Sequence, residues 1–190
     1  MQGDSQTNGK GKRVNNIDFS KIEVKKLSKI YDTSSFDCKD SDINEFLRND
    51  ALLWQNKKLA TTHVFIYNEE VIGFFCSSAD SIKLKGDEKK REDSLNKKRV
   101  REIPAIKIGR LARSVKYNKQ KLGEWILKWA IGDILKLNEK TGVRFVTIDA
   151  YPEKVSWYEQ FGFKKNLHED YQNKNNVSMR YCLHNPPKNE

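Results

Sequence analysis

The chain has 190 residues, with 36 Lys or Arg against 26 Asp or Glu, a net charge of +10 and three cysteines. That length suits one domain with a sizeable core, and Cys38, Cys76 and Cys182 are too few and too scattered for a disulfide framework or a Cys-x-x-Cys zinc site. No apolar run approaches the length of a membrane span and the first residues lack an apolar stretch, so a soluble, unsecreted protein of the reducing cytoplasm is expected, with no membrane partner. The positive balance points to an anionic partner such as nucleic acid, or to a lysine-rich proteome.

Met1 to Asn16 carries little that can be buried, so a disordered basic tail is expected over residues 1–18, with one folded domain over 19–185. Ile22-Glu23-Val24-Lys25-Lys26-Leu27 alternates with period two, as an edge strand guarded by lysines would. Asp40 or Ser41 can cap a helix over Asp42 to Lys57 that carries Ile43, Phe46, Leu47 and Leu53 on one face. Thr61 to Tyr67 and Val71 to Ser78 read as strands joined by a hairpin at Asn68-Glu69-Glu70. Lys83 to Arg101 holds nine Lys or Arg against four Asp or Glu and little that is apolar, which favours a solvated loop or a binding segment.

Ile103 to Ala112 suits a strand interrupted near Gly109, where a bulge would leave backbone amides without strand partners. The loop from Val115 to Gly123 leads into a helix over Glu124 to Lys140, with Trp125, Ile126, Trp129, Ala130, Ile134 and Leu137 at helical spacing. A strand, a loop and a helix N-terminus in series make an anion site, because first-turn amides lack intrahelical partners and the dipole favours negative charge. Thr141-Gly142 ends that helix, and Val143 to Ala150 is a β-branched run, so a parallel crossover joins the two strands. Pro152 suits the start of a helix with Val155, Trp157, Tyr158 and Phe161 that Gly162 ends, and Asn176 to Leu183 reads as a last strand.

Gly109-Arg110-Leu111-Ala112, Asp149-Ala150-Tyr151 and Trp157-Tyr158-Glu159-Gln160-Phe161-Gly162-Phe163 together resemble the GNAT superfamily of acyl-CoA-dependent N-acyltransferases. The family's pyrophosphate loop has the form Gln-Gly-x-Gly-x-Gly, whereas Asn118-Lys119-Gln120-Lys121-Leu122-Gly123 keeps its final glycine and has Lys121 in place of the central one. Lys121 there either tolerates the required φ and offers its ammonium to phosphate, or obstructs the cofactor. Phe36-Asp37-Cys38, Phe46-Leu47 and Ala51 to Gln55 are similar to a GNAT subgroup that includes toxins acetylating aminoacyl-tRNA.

The resemblance implies an α/β (α+β) GNAT-like fold, with a mixed, mainly antiparallel sheet splayed into a V between the Ile103 and Val143 strands and flanked by helices. It implies acetyl-CoA as co-substrate, without a metal, and transfer of acetyl to a primary amine, with the amino group of an aminoacyl-tRNA as the leading acceptor. A protein or small-molecule amine is the alternative, and a non-catalytic fold kept as a nucleic-acid or partner module is another. An antitoxin and a homodimer are further expected partners.

On this resemblance the backbone amides near Leu111 and Ala112 would face the carbonyl, Arg113 would lie by the cofactor cleft, and Asn118, Lys119, Gln120, Lys121, Leu122, Gly123 and Glu124 would hold the pyrophosphate. Tyr158 would be the general acid at the sulfur, although periodicity alone would make it a core aromatic beside Trp157 and Phe161. Arg91, Lys97, Lys98, Arg99 and Arg110 are the leading cations for nucleic acid, and the same charge suits the 3′-phosphate of CoA. Glu102 and Asp149 are carboxylates near the strands, neither demanded as a base, because an α-amino group with a pKa of about 7.7–8.0 is partly neutral already. His63, His168 and His184 have no metal-compatible neighbours in the sequence and receive no role.

Overall fold

A computed structural model describes residues 16–91, 101–172 and 174–184. Seven strands form one sheet in the order β1-β2-β3-β4-β5-β7-β6, in which β4 and β5 are parallel and every other neighbouring pair is antiparallel. The strands are β1 (Glu23–Lys26), β2 (Thr61–Tyr67), β3 (Glu70–Ile82), β4 (Ile103–Arg113), β5 (Phe145–Ala150), β6 (Lys164–Lys165) and β7 (Val177–Cys182). The mixed, mainly antiparallel sheet expected from the sequence is what the chain forms.

Helix α4 (Leu122–Asn138) lies on one face, where Leu122, Ile126, Leu127, Ala130 and Ile134 turn a buried stripe toward Phe65, Phe75 and Ile108. Gly73 lets it approach, since a Cβ there would lie 2.4 Å from Ile126 Cδ1 and 3.1 Å from the Ala112 carbonyl oxygen. Helix α5 (Val155–Glu159) packs Val155, Trp157 and Tyr158 onto the same core. On the opposite face α1 (Ser41–Glu45), a π-helical turn over Phe46–Asp50 and α2 (Ala51–Asn56) form one run. Its Phe46, Leu47 and Ala51 meet Val64, Phe74 and Ala112. The side chain of Asp40 caps α1 by accepting the Ile43 N–H at 3.1 Å.

Three local expectations change. The apolar spacing did not reveal the π-turn, because it shifts the helix face by one residue while keeping Phe46 and Leu47 inward. Ile17, assigned to the tail, is buried in the α4 core and its N–H donates to Gln120 Oε1 at 2.6 Å; residues 1–15 lie outside the described ones. In the charged segment from Lys83, Gly86–Arg91 forms helix α3, because Glu88 is buried and pairs with Arg180 at 2.6 Å; residues 92–100 lie outside the described ones.

His63 on β2 stacks on Phe75 at 5.0 Å and its buried Nδ1 has no hydrogen-bond partner. Burial holds its pKa below the usual imidazole value, against the attraction of Asp133 and with a smaller push from Lys26. Because the folded chain binds this proton less well than the unfolded one, stability falls as pH drops below about 6.5. His63→Phe is expected to remove that part of the slope, giving a flatter melting temperature between pH 5 and 6.5 than the wild type shows. An unchanged slope would exclude His63 as its source.

Candidate active site

Strands β4 and β5 share only three paired positions, Ala105 with Phe145, Ile106 with Val146 and Lys107 with Thr147. Beyond Lys107, β4 continues to Arg113 along β3, and β5 continues to Ala150 along β7, so a fork opens between them. Gly109 is the extra residue of a bulge, since Cys76 opposes Arg110 while Ser77 opposes Ile108. The expected interruption and splay are both present.

The outer edge of β4 leads straight to a helix tip. Ser114 and a 3₁₀ turn over Val115–Tyr117 reverse the chain, and Arg113 Nη2 donates to Asn118 Oδ1 at 2.7 Å. Lys119 and Lys121 both adopt positive φ, 63° and 55°, so Lys121 accepts the left-handed conformation that glycine takes more readily. Lys121 is the N-cap of α4 and makes no side-chain cap, which leaves the first-turn amides of Leu122, Gly123 and Glu124 uncapped by a side chain. A Cβ on Gly123 would stand 3.9 Å from both Arg113 Cδ and Trp157 Cζ2, so the tip sits between β4 and α5.

The other site residues divide by what their side chains do. Leu122 is wholly buried and offers backbone alone, while Gln120 has its Oε1 engaged by the Ile17 N–H and keeps only its amide NH₂ to donate. Glu124 pairs with Lys128 at 2.8 Å, and Asn118 Oδ1 also accepts the Lys119 N–H. Lys119 and Lys121 are exposed, Leu111 borders the α4 core, and Ala112 faces the α1–α2 core. Arg110 lies apart from this loop, with its guanidinium 3.8 Å from the centre of the Phe46 ring and 5.4 Å from Trp54. Arg91 ends α3, whereas Lys97, Lys98 and Arg99 lie outside the described residues.

Tyr158 on α5 sits among aromatic rings. Its ring meets Trp157 at 4.8 Å and Phe163 at 5.5 Å, and burial pushes the phenol up to about 12. It is therefore protonated throughout the physiological range.

Sequence reading named Asp149 as a carboxylate near the strands but missed the polar pairs on that side of the fork. Lys107 pairs with Asp149 at 2.5 Å across the gap, and Thr147 donates its hydroxyl to Asp80 at 2.5 Å. Tyr151 donates to Asp40 at 3.2 Å, while the Val115 N–H donates to the Asp37 carbonyl at 2.9 Å, so the segment before α1 touches the ends of both arms. Period two in β5 already set Thr147, Asp149 and Tyr151 on one face; their partners are 42 to 111 residues away and leave no local trace. Among the described residues, His168, Glu169 and Asp170 cluster as a metal site would, but His168 Nδ1 accepts the Asp170 N–H and Asp170 pairs with Lys83.

No family profile matches the sequence. Among solved structures, a tyrosine-to-phenylalanine mutant of KacT superimposes with a TM-score of 0.72 at 17% identity, over 86% of this chain and 96% of that one. AtaT complexed with acetyl-methionyl-tRNAfMet gives 0.71 at 20% identity, over 83% and 93% of the two chains. A tyrosine-to-phenylalanine mutant of the AtaT toxin, bound to the C-terminus of the antitoxin AtaR and acetyl-CoA, gives 0.69 at 18%, over 86% and 94%. The chain thus has the GNAT fold, with its central fork and its helix tip in place.

Proposed function

We propose that the chain is an acetyl-CoA-dependent N-acetyltransferase acting on a primary amine, and that this amine is the α-amino group of an aminoacyl-tRNA. The observation that carries the reading is the fork, whose unpaired β4 edge runs from a bulge at Gly109 to the uncapped tip of α4. A thioester carrier would lie along that edge, with its pyrophosphate at the amides of Leu122, Gly123 and Glu124 and near the cations of Arg113, Lys119 and Lys121. Beyond the bulge the backbone N–H of Leu111 would hold the carbonyl oxygen as it gains charge; that of Ala112, expected to share the task, turns to β3 instead, because the Ser114 N–H donates to the Ile72 carbonyl and Ala112 opposes Phe74 in the same register. Attack by the neutral amine forms the C–N bond and breaks the C–S bond. The Tyr158 hydroxyl would donate a hydrogen bond to the sulfur as it departs as a thiolate, and the nitrogen would shed its extra proton to solvent on becoming an amide.

Support for the tRNA acceptor is the net charge of +10 together with the likeness to AtaT, which was captured with acetyl-methionyl-tRNAfMet. Phosphate contacts would come from the exposed Lys85, Lys90, Arg91 and Arg101 around α3. By the same likeness, an antitoxin would be the chain's regulating partner. Incubating the protein with labelled acetyl-CoA and total charged tRNA is expected to place label on the tRNA fraction. Label confined to protein or to small amines would replace this acceptor.

A binding module without turnover is the competing reading, resting on Lys121 where the family has glycine. Calorimetry separates the two, because absence of measurable acetyl-CoA binding favours the module. Lys121→Gly is expected to weaken acetyl-CoA binding about fivefold at low salt, the size of one charge-assisted phosphate contact, and the difference is expected to shrink at high salt. Tighter binding by the glycine variant would instead make Lys121 an obstruction.

A further inference from the structure

Where the parallel ladder stops, the sheet has two chemically different faces. Val146, Ile148 and Ala150 of β5 point into the core under α4 and α5, and Tyr158 packs against that same core. Thr147, Asp149 and Tyr151 alternate with them and point to the opposite face, the one α1 and α2 cover. Asp149 stands two residues past the last β4–β5 pair, about 6–7 Å into the fork at strand rise. Its partner Lys107 is on the other arm, and both side chains keep solvent contact, at 42% and 34% exposure.

We infer that Asp149 takes the proton from the acceptor's ammonium, with Lys107 holding its carboxylate at the throat of the fork. This rests on the transferase reading above. A carbonyl seated in the gap would be attacked from the Asp149 face and lose its sulfur toward the Tyr158 face, so proton removal and proton donation fall on opposite sides of one sheet. The first proton leaves the acceptor's NH₃⁺ for the Asp149 carboxylate and passes from there to solvent, which leaves a neutral amine and a regenerated carboxylate. Lys107 contributes a second effect, because a fixed ammonium beside an amine disfavours the amine's own charged form.

The acids on the same face are tied to groups on β5 or at its end, whereas the partner of Asp149 is the ammonium on the facing arm. Asp80 on β3 accepts the Thr147 hydroxyl, and Asp40 before α1 accepts both the Tyr151 hydroxyl and the Ile43 N–H. The cations nearby are engaged too. Arg180 on β7 is paired with Glu88, and Arg110 on β4 lies over Phe46.

The test is kcat/KM for labelled acetyl transfer to charged tRNA between pH 5.5 and 8.5, for wild type, Asp149→Asn, Asp149→Glu and Lys107→Met. Asp149→Asn is expected to lose about 100-fold at pH 6, the ordinary contribution of a general base. The deficit should narrow toward pH 8, where an α-amine is largely neutral without help. Acetyl-CoA affinity should hold, and Asp149→Glu should recover most of the rate. Lys107→Met breaks the same ion pair but keeps the carboxylate, so it should lose less than tenfold at pH 6. A purely structural tie would give Asp149→Asn and Lys107→Met equal deficits that do not change with pH, and that result overturns the inference. So does full activity of Asp149→Asn, which leaves the transferase reading standing; a wild type that binds acetyl-CoA but acetylates no amine overturns both.

Discussion

Tyr158→Phe is expected to lower kcat about 100-fold while leaving acetyl-CoA affinity and melting temperature nearly unchanged. Stability should hold because the ring keeps its contacts with Trp157 and Phe163, and burial alone, with no hydrogen bond from a described residue, acts on the hydroxyl. The size of the kinetic effect follows from acidity. A positioned general acid contributes about 10²–10⁴-fold, but burial has pushed this phenol up to about 12, whereas a simple thiol such as cysteine titrates near 8.5. A phenol weaker than the thiol it would serve does not give up its proton ahead of C–S cleavage. On the proposed mechanism it would act as a hydrogen-bond donor that strengthens as charge reaches the sulfur, which places the expected loss at the low end of that range, about 2.7 kcal/mol. The same burial means that Tyr158 produces no alkaline limb in the rate profile below about pH 10. Full turnover by the phenylalanine variant would remove Tyr158 from the chemistry and leave the fork and the helix tip as they are.

Much of this architecture is legible in the residues because it is local. The β-branched run of β5, the aromatic and aliphatic stripe of α4 and the glycine that permits the bulge each act over a few positions, and the fork follows from a parallel crossover joining them. What is not legible is pairing at a distance. Lys107 and Asp149 read as ordinary strand-flanking charges until the register puts them on facing arms. Gln120 looks like a loop amide offered to phosphate, yet Ile17, placed in the tail, claims its oxygen. The segment after Lys83 shows the limit most clearly. By composition alone it is a solvated loop, and one of its few acids, Glu88, decides otherwise through a partner on β7.

That acid gives the largest expected effect on stability. Glu88 and Arg180 keep 3% and 7% side-chain exposure, and one carboxylate oxygen takes Arg180 Nη1 at 2.6 Å and the Leu167 N–H at 3.2 Å. The other takes the Lys85 N–H at 2.9 Å, closing the turn into α3. Arg180 Nη1 also donates to the Lys165 carbonyl and to Asn166 Oδ1, so α3, β6 and β7 meet at one charged cluster. Glu88→Gln keeps the shape and removes the charge, stranding a buried guanidinium, and is expected to cost about 3–5 kcal/mol. At about 2–4 °C per kcal/mol for a chain of this size, melting should fall by about 6–20 °C. Pairing Glu88→Leu with Arg180→Met removes both charges and should recover only part of this, because the Lys85 and Leu167 amides then lose their acceptor. In Glu88→Gln, hydrogen exchange is expected to rise first in α3 and at Leu167, while the body of α4, which shares no bond with this cluster, stays protected. Turnover on charged tRNA should then fall more than acetyl-CoA affinity does. A Glu88→Gln protein that melts with the wild type and keeps α3 protected would mean that α3 is held by the packing of Leu84 ahead of it, and that the buried pair is incidental to the basic surface it carries.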